Sequence, residues 1–233
     1  MEKFFARKPA AGSRISHMGY LHIGSRIPLD DLKRARSGRH SLVDPYFASL
    51  PKPDLKMLEK SFPNFEFSSK PAHDFLEEKI REGAKYATIR IDAPYAGIID
   101  KGSDFGLLCR QMAAVLVPGG TIIIVTDYKP DKEGVLHKCT SGDAEMYALL
   151  KGRELSELSE EEAGRLAASV RGEKTANIMK ELKKAGFSVR YFAAPDSAIR
   201  RSEAAARRAA SGKAIYMVVA SKPIGGPPAC CRS

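Results

Sequence analysis

At 233 residues, 43% hydrophobic and 28% charged, the chain has the size and composition of one folded domain rather than a disordered polymer. No apolar run approaches bilayer-spanning length, and the opening residues MEKFFARK lack the apolar stretch of a secretory signal, so a soluble cytoplasmic protein without a membrane partner is expected. The formal charge of +10 sits in two places: residues 1–40 hold nine Lys/Arg against three Asp/Glu, and residues 197–213 hold five against one. A basic excess gathered in this way points to a polyanion such as RNA. Cys109, Cys139, Cys230 and Cys231 show neither metal-ligand nor redox spacing, so free thiols and no structural metal are expected.

Residues 1–18 are basic, aperiodic and rich in Ala, Gly and Ser, which predicts a flexible arm. A short strand at 20–23 then ends in Gly24-Ser25-Arg26, and a helix is expected from Pro28 through Leu32 and Ala35 to Gly38. A second strand at 40–43 ends in Asp44-Pro45-Tyr46. Gly24 and Asp44 are 20 residues apart, the distance at which a nucleotide-binding fold places its ribose-binding carboxylate. Only one glycine of a G-x-G-x-x-G loop is present, and a plain structural turn is the competing reading.

Next come a helix at 54–62, an alternating strand at 62–67, a polar loop at 68–74 and a helix at 72–85 closed by Gly83. Two β-branched, almost wholly apolar runs follow, at 88–91 and 121–125. The first ends in Asp92-Ala93-Pro94-Tyr95 and the second leads to Asp127. Between them, Leu107, Leu108, Met112, Val115 and Leu116 recur at helical spacing until Pro118-Gly119-Gly120 stops the helix. Alternating strands and helices of this kind make an α/β fold, a doubly wound and mostly parallel sheet. Asp92 and Asp127 then stand at carboxyl ends of strands, where open sheets bind ligands.

Residues 128–172 break the regular order and are read as an insertion or lid, with helices at 143–150 and 159–170, the second opening on a Ser159-Glu160-Glu161-Glu162 capping box. The order resumes with a helix at 174–185 ended by Gly186, a strand at 187–192, an Ala- and Arg-rich helix at 197–211, a strand at 212–220 and a flexible tail at 223–233. In a single helix over 197–211, Arg200, Arg201, Arg207 and Arg208 recur at seven-residue spacing on one side and suit a row of phosphates. A merely solvated helix face is the alternative.

The pieces in this order resemble the class I S-adenosylmethionine-dependent methyltransferases over residues 19–222. The likeness rests on the Gly-ended first strand, the acidic end of the second, DAPY after the fourth, LVPGGTIIIV into the fifth, KELKKAGFSVRYF for the late helix and sixth strand, and AIYMVVASKP for the seventh. It implies a Rossmann-like seven-stranded sheet whose last strand is antiparallel, with S-adenosylmethionine as cofactor. By the same resemblance Gly24 and Ser25 hold the methionine end, Asp44 the ribose and Asp74 the adenine. Asp92-Ala93-Pro94-Tyr95 looks like the [DN]-P-P-Y signature of enzymes that methylate planar amino groups, with Ala in place of the first Pro. In that setting the acid and a backbone carbonyl orient the amine while the ring of Tyr95 stacks on the base.

A narrower likeness, to the tRNA guanine-N7 methyltransferases, comes from Thr126-Asp127 and from Gly212-Lys213-Ala214-Ile215-Tyr216, and there the acids grip the guanine edge. The expected activity is therefore methylation of a nucleobase in tRNA or rRNA, with Asp92, Pro94, Tyr95 and Asp127 at the reacting centre. Because Gly24-Ser25-Arg26 departs from G-x-G, a non-catalytic RNA-binding relative stays open. So do a small-molecule methyltransferase and a nicotinamide-dependent oxidoreductase, the last calling for a fuller glycine loop. The sequence is silent on oligomeric state.

Overall fold

Seven short runs rich in β-branched and aromatic residues form the strands of one sheet in the computed structural model, which describes residues 19–24, 38, 40–92, 102–136, 155–170 and 174–224. The strands are β1 (Gly19–Ile23), β2 (His40–Val43), β3 (Phe65–Ser68), β4 (Tyr86–Asp92), β5 (Leu116–Thr126), β6 (Ser188–Ala193) and β7 (Tyr216–Ser221). They lie in the order β3-β2-β1-β4-β5-β7-β6. β7 runs antiparallel to both β5 and β6, and the other pairings are parallel, as the sequence reading expects. The basic arm, the helices expected at 28–38 and 143–150, most of the C-terminal tail, and Ser25, Pro94 and Tyr95 lie outside the described residues.

Side chains alternate along each strand, so each face of the sheet has its own cover. Helices α1 (Tyr46–Ser49) and α2 (Lys52–Ser61) follow β2; α3 (Ala72–Arg81) follows β3; α4 (Gly102–Val115) joins β4 to β5; and α5 (Glu160–Val170) and α6 (Ile178–Lys184) precede β6. Leu21, Ile23, Ile89, Ile91, Ile122 and Ile124 point to one face and form the main core with Phe75 and Leu76 of α3, Phe105, Leu108 and Met112 of α4, and Leu182 of α6. On the opposite face Leu42, Phe47 and Phe65 make a small aromatic cluster at one side. Val125 and Met217 pack at the other side under the β6–β7 connection.

That connection is two helices rather than the expected one: α7 (Asp196–Arg200) and α8 (Glu203–Ala210). Ser202 causes the break. Its hydroxyl accepts a hydrogen bond from the Ala205 backbone N–H, so the side chain starts a new helix instead of continuing the old one. The pairs Arg200/Arg201 and Arg207/Arg208 consequently belong to different segments. By contrast, the capping box at α5 forms as read, with the Ser159 hydroxyl accepting from the Glu162 N–H and the Ser159 N–H donating to the Glu162 carboxylate.

The Pro118-Gly119-Gly120 stop also takes an unexpected form. α4 ends at Val115 and β5 begins at once, and the three residues fall in a bulge where the pairing slips from Tyr86↔Leu116 to Thr88↔Thr121. A Cβ at Gly120 would come within 2.8 Å of Leu116 Cγ and 2.9 Å of the Val117 carbonyl, so only glycine fits. The Lys222 ammonium donates to the carbonyls of Ala113 at 2.6 Å and Leu116 at 2.7 Å, and Lys85 donates to Ala114 at 2.7 Å. Two cations thus satisfy the orphan carbonyls at the negative end of α4. Lys222→Met is expected to cost about 1–3 kcal/mol of unfolding free energy, as for lost charged hydrogen bonds. Urea denaturation of the two proteins measures the difference, and equal midpoints would remove Lys222 from this role.

Candidate active site

The sheet order reverses between β1 and β4, and the crevice above the carboxyl ends of such a pair is where doubly wound sheets take ligands. Gly24 follows β1 directly with φ of 77°, a conformation that side chains disfavour, and its N–H donates to the Val43 carbonyl at 2.9 Å. Gly24 therefore bends the backbone at the crest and brings no side chain of its own. Asp44, just past β2, is buried. Its N–H donates to the Ser68 carbonyl, and its Oδ1 accepts from the Tyr46 N–H at 2.8 Å, an Asx turn that fixes the carboxylate. Asp74 lies exposed on the first turn of α3, which leaves the carboxyl end of β3.

Asp92 ends β4 and is only 1% exposed. Its Oδ2 lies 3.0 Å from His22 Nε2, and its Oδ1 accepts from Arg90 Nε at 2.8 Å. The β1–β4 register sets His22 opposite Arg90, and the period of two brings Arg90 and Asp92 to the same face as His22. Burial alone pushes an acid's pKa up, but His22 and Arg90 outweigh it and hold Asp92 below the ordinary carboxylate range. Tyr20 Oη lies 3.3 Å from the other His22 nitrogen, extending the polar row down β1. The expected strand-end acid is present, and both of its oxygens are clamped.

Asp127 is clamped as well. It lies two residues beyond Val125, the β5 partner of Asp92, and its side chain is 5% exposed. The Arg208 guanidinium of α8 pairs with one oxygen, and Lys213 Nζ lies 3.2 Å from the other. Asp127 and Arg208 were expected in different roles, one at the reacting centre and one on phosphates, and the structure joins them. Arg200, Arg201 and Arg207 remain on the exposed surface of α7 and α8.

The sequence reading missed His22, Arg90 and Lys213. A signal for the first two exists: Tyr20 and His22, like Arg90 and Asp92, are polar residues spaced by two inside strands otherwise built for burial. Among the described residues no group of three or more His, Cys, Asp or Glu is placed to hold a metal. Nor is any described helix long and apolar enough to cross a membrane. Cys109 lies on the buried face of α4, and burial pushes its thiol far above the ordinary range, which makes it inert.

No family model and no curated protein sequence matches the chain. Solved structures do. The 16S rRNA methyltransferase KamB aligns at 15% identity with a TM-score of 0.51, covering 90% of each chain. A 30S ribosomal methyltransferase from an uncultured bacterium (UncKam) aligns at 12% identity and a TM-score of 0.52, covering 88% of this chain and 87% of its own. An O-methyltransferase family protein from Burkholderia thailandensis aligns at 12% identity and a TM-score of 0.50, covering 92% of this chain and 54% of its own. At such identities the likeness is one of fold, and the fold is the Rossmann-like sheet of methyltransferases.

Proposed function

We propose that the protein is an S-adenosylmethionine-dependent methyltransferase acting on a nucleobase in RNA. The observation that supports this reading is the β1–β4 switch point, with Gly24 just past β1, Asp44 just past β2 and Asp92 at the end of β4, in a sheet whose β7 is antiparallel. These residues fit the cofactor. Gly24 puts no side chain of its own at the end of β1, and Asp44, fixed by its Asx turn, suits a ribose diol. Ser25 and Asp74 complete the proposed set, at the methionine and adenine ends. When bound, the cofactor supplies a methyl group on a sulfonium, whose departure leaves a neutral thioether, so positioning rather than acid-base work supplies most of the rate.

Asp92, Pro94, Tyr95 and Asp127 are proposed to receive the base, and the insertion at 128–172 to flank it. The exposed Arg200, Arg201 and Arg207 support RNA over a small molecule, since guanidinium groups on one connection suit phosphate contact. The 16S rRNA enzyme named above agrees with that class without specifying a base. A second reading, a non-catalytic RNA-binding relative, is favoured by Ser25-Arg26 where the family has a glycine loop.

Calorimetry with S-adenosylhomocysteine, with NAD as comparator, decides between these. Saturable binding of the first alone is expected; heat from neither ligand would favour the non-catalytic relative. The double variant Arg200→Glu/Arg207→Glu is expected to weaken binding to total RNA and to lower the slope of log affinity against log salt by about two, without changing the affinity for S-adenosylhomocysteine. An unchanged slope would remove RNA contact from α7 and α8.

A further inference from the structure

β6 is an outer strand of the sheet, and its two faces are unlike. Val189 and Tyr191 turn to the main core, while Arg190 and Phe192 alternate to the opposite face and are exposed. Of the aromatic side chains among the described residues, only Phe192 is exposed, at 44%. Folding gains little from a ring left so open. A lone apolar residue on a surface is ordinary, so the setting of Phe192 has to decide what it does.

The strand register supplies that setting. Asp92 pairs with Val125, Val125 with Met217 and Met217 with Phe192, so the four form one row on one face, near the carboxyl ends of the parallel strands. Three strand spacings, about 14 Å, separate Phe192 from Asp92. Arg90, Ile123, Val219 and Arg190 form the parallel row one step below. Met217 and Val219 pack with Ala198 and Ile199 of α7 and Ala205 of α8, so Arg190 and Phe192 border the arginine-bearing connection. From Ser188 to Lys213 the chain holds six Lys or Arg against two acids, Asp196 and Glu203. Arg208 is committed to Asp127, whereas Arg190, Arg200 and Arg201 form no ion pair among the described residues.

Resting on the RNA reading above, we infer that the exposed face of β6 binds an unpaired nucleotide of the RNA beside the target. The Phe192 ring stacks on its base and the Arg190 guanidinium holds an adjoining phosphate. Every base has a face to stack, so the contact is tolerant of sequence, but a base paired within a helix has no face free for the ring. Arg190 lies two residues back along the strand, about 7 Å, within reach of the next phosphate. A second copy of the chain, pairing edge to edge along β6, is disfavoured by charge: it would bring two connections of the same net sign together.

The test measures binding of the full chain to a fluorescein-labelled oligoadenylate and to a short RNA duplex by anisotropy. Phe192→Thr, which keeps a β-branched residue in the strand, is expected to weaken single-strand binding by about 5–100-fold. Its salt dependence, its affinity for the duplex and its affinity for S-adenosylhomocysteine are expected to stay as in wild type. Phe192→Trp, which restores a stacking ring, is expected to recover the affinity. Arg190→Gln is expected to lower the slope of log affinity against log salt on the single strand by about 0.7. With wild type binding RNA, equal single-strand affinity in Phe192→Thr, no recovery with Trp, or an equal loss on the duplex overturns the inference and leaves the RNA reading in place. A wild-type protein that binds neither RNA sinks that reading and the inference with it. Sedimentation that finds a wild-type dimer split by Phe192→Thr assigns the strand to a second copy and overturns the inference too. If Phe192→Thr melts early, Arg190→Gln decides instead, and an unchanged slope is the overturning result.

Discussion

Asp92→Ala is expected to lower the unfolding free energy by about 3–5 kcal/mol, the cost of stranding buried charge after one partner is removed. Arg90 and His22 are both buried, and the alanine removes the carboxylate that Arg90 Nε and His22 Nε2 engage. Asp92→Asn, which keeps the shape and one acceptor, is expected to cost less. Loss of methyl transfer in the alanine variant therefore says little on its own, and the asparagine variant, measured below its melting temperature, is the informative one. Sensitivity to pH follows from the same clamp. Asp92 has a folded pKa below its unfolded value of about 3.9, so its contribution is complete above that value and is lost as pH falls through the lower, folded one. Urea denaturation at a series of pH values should show the stability gap between wild type and Asp92→Asn closing in acid. A gap that widens in acid would contradict the assignment.

Much of the frame was legible because it is local. The β-branched runs in β4 and β5, the acids that follow them and the helical period of α4 are properties of neighbours in the chain, and the parallel order follows from their alternation. What escaped depends on contacts distant in sequence. Nothing near Asp127 announces that Arg208 and Lys213 will reach it across 81 and 86 residues. His22 and Asp92 meet across 70 residues, and only the β1–β4 register puts them on one face.

Some errors were local competitions instead. Ser202 preferred capping to continuing a helix, and Phe62, read both as the end of a helix and as the start of a strand, only closes α2, by donating its N–H to the Leu58 carbonyl, so β3 starts at Phe65. The acid motifs were legible as residues; the basic side chains that hold both strand-end acids were not.

Asp44 accepts from the Tyr46 backbone N–H just past β2, where the proposed ribose site lies, and it is the direct probe of cofactor binding. Asp44→Ala is expected to weaken S-adenosylhomocysteine binding by about 10–100-fold, the loss of charge-assisted hydrogen bonds to a ribose diol being worth about 1.5–3 kcal/mol. Alanine also removes the Asx turn to Tyr46, which opens α1, so the turn and the ligand contact must be separated. Asp44→Asn does so. Its side-chain oxygen can still accept from the Tyr46 N–H, while the group loses its charge and presents one acceptor where the carboxylate had two. If the acid works on the ribose, asparagine should bind about as poorly as alanine while melting like wild type. If it works only on the turn, asparagine should bind like wild type, and the place of the nucleoside at the end of β2 would have to be given up.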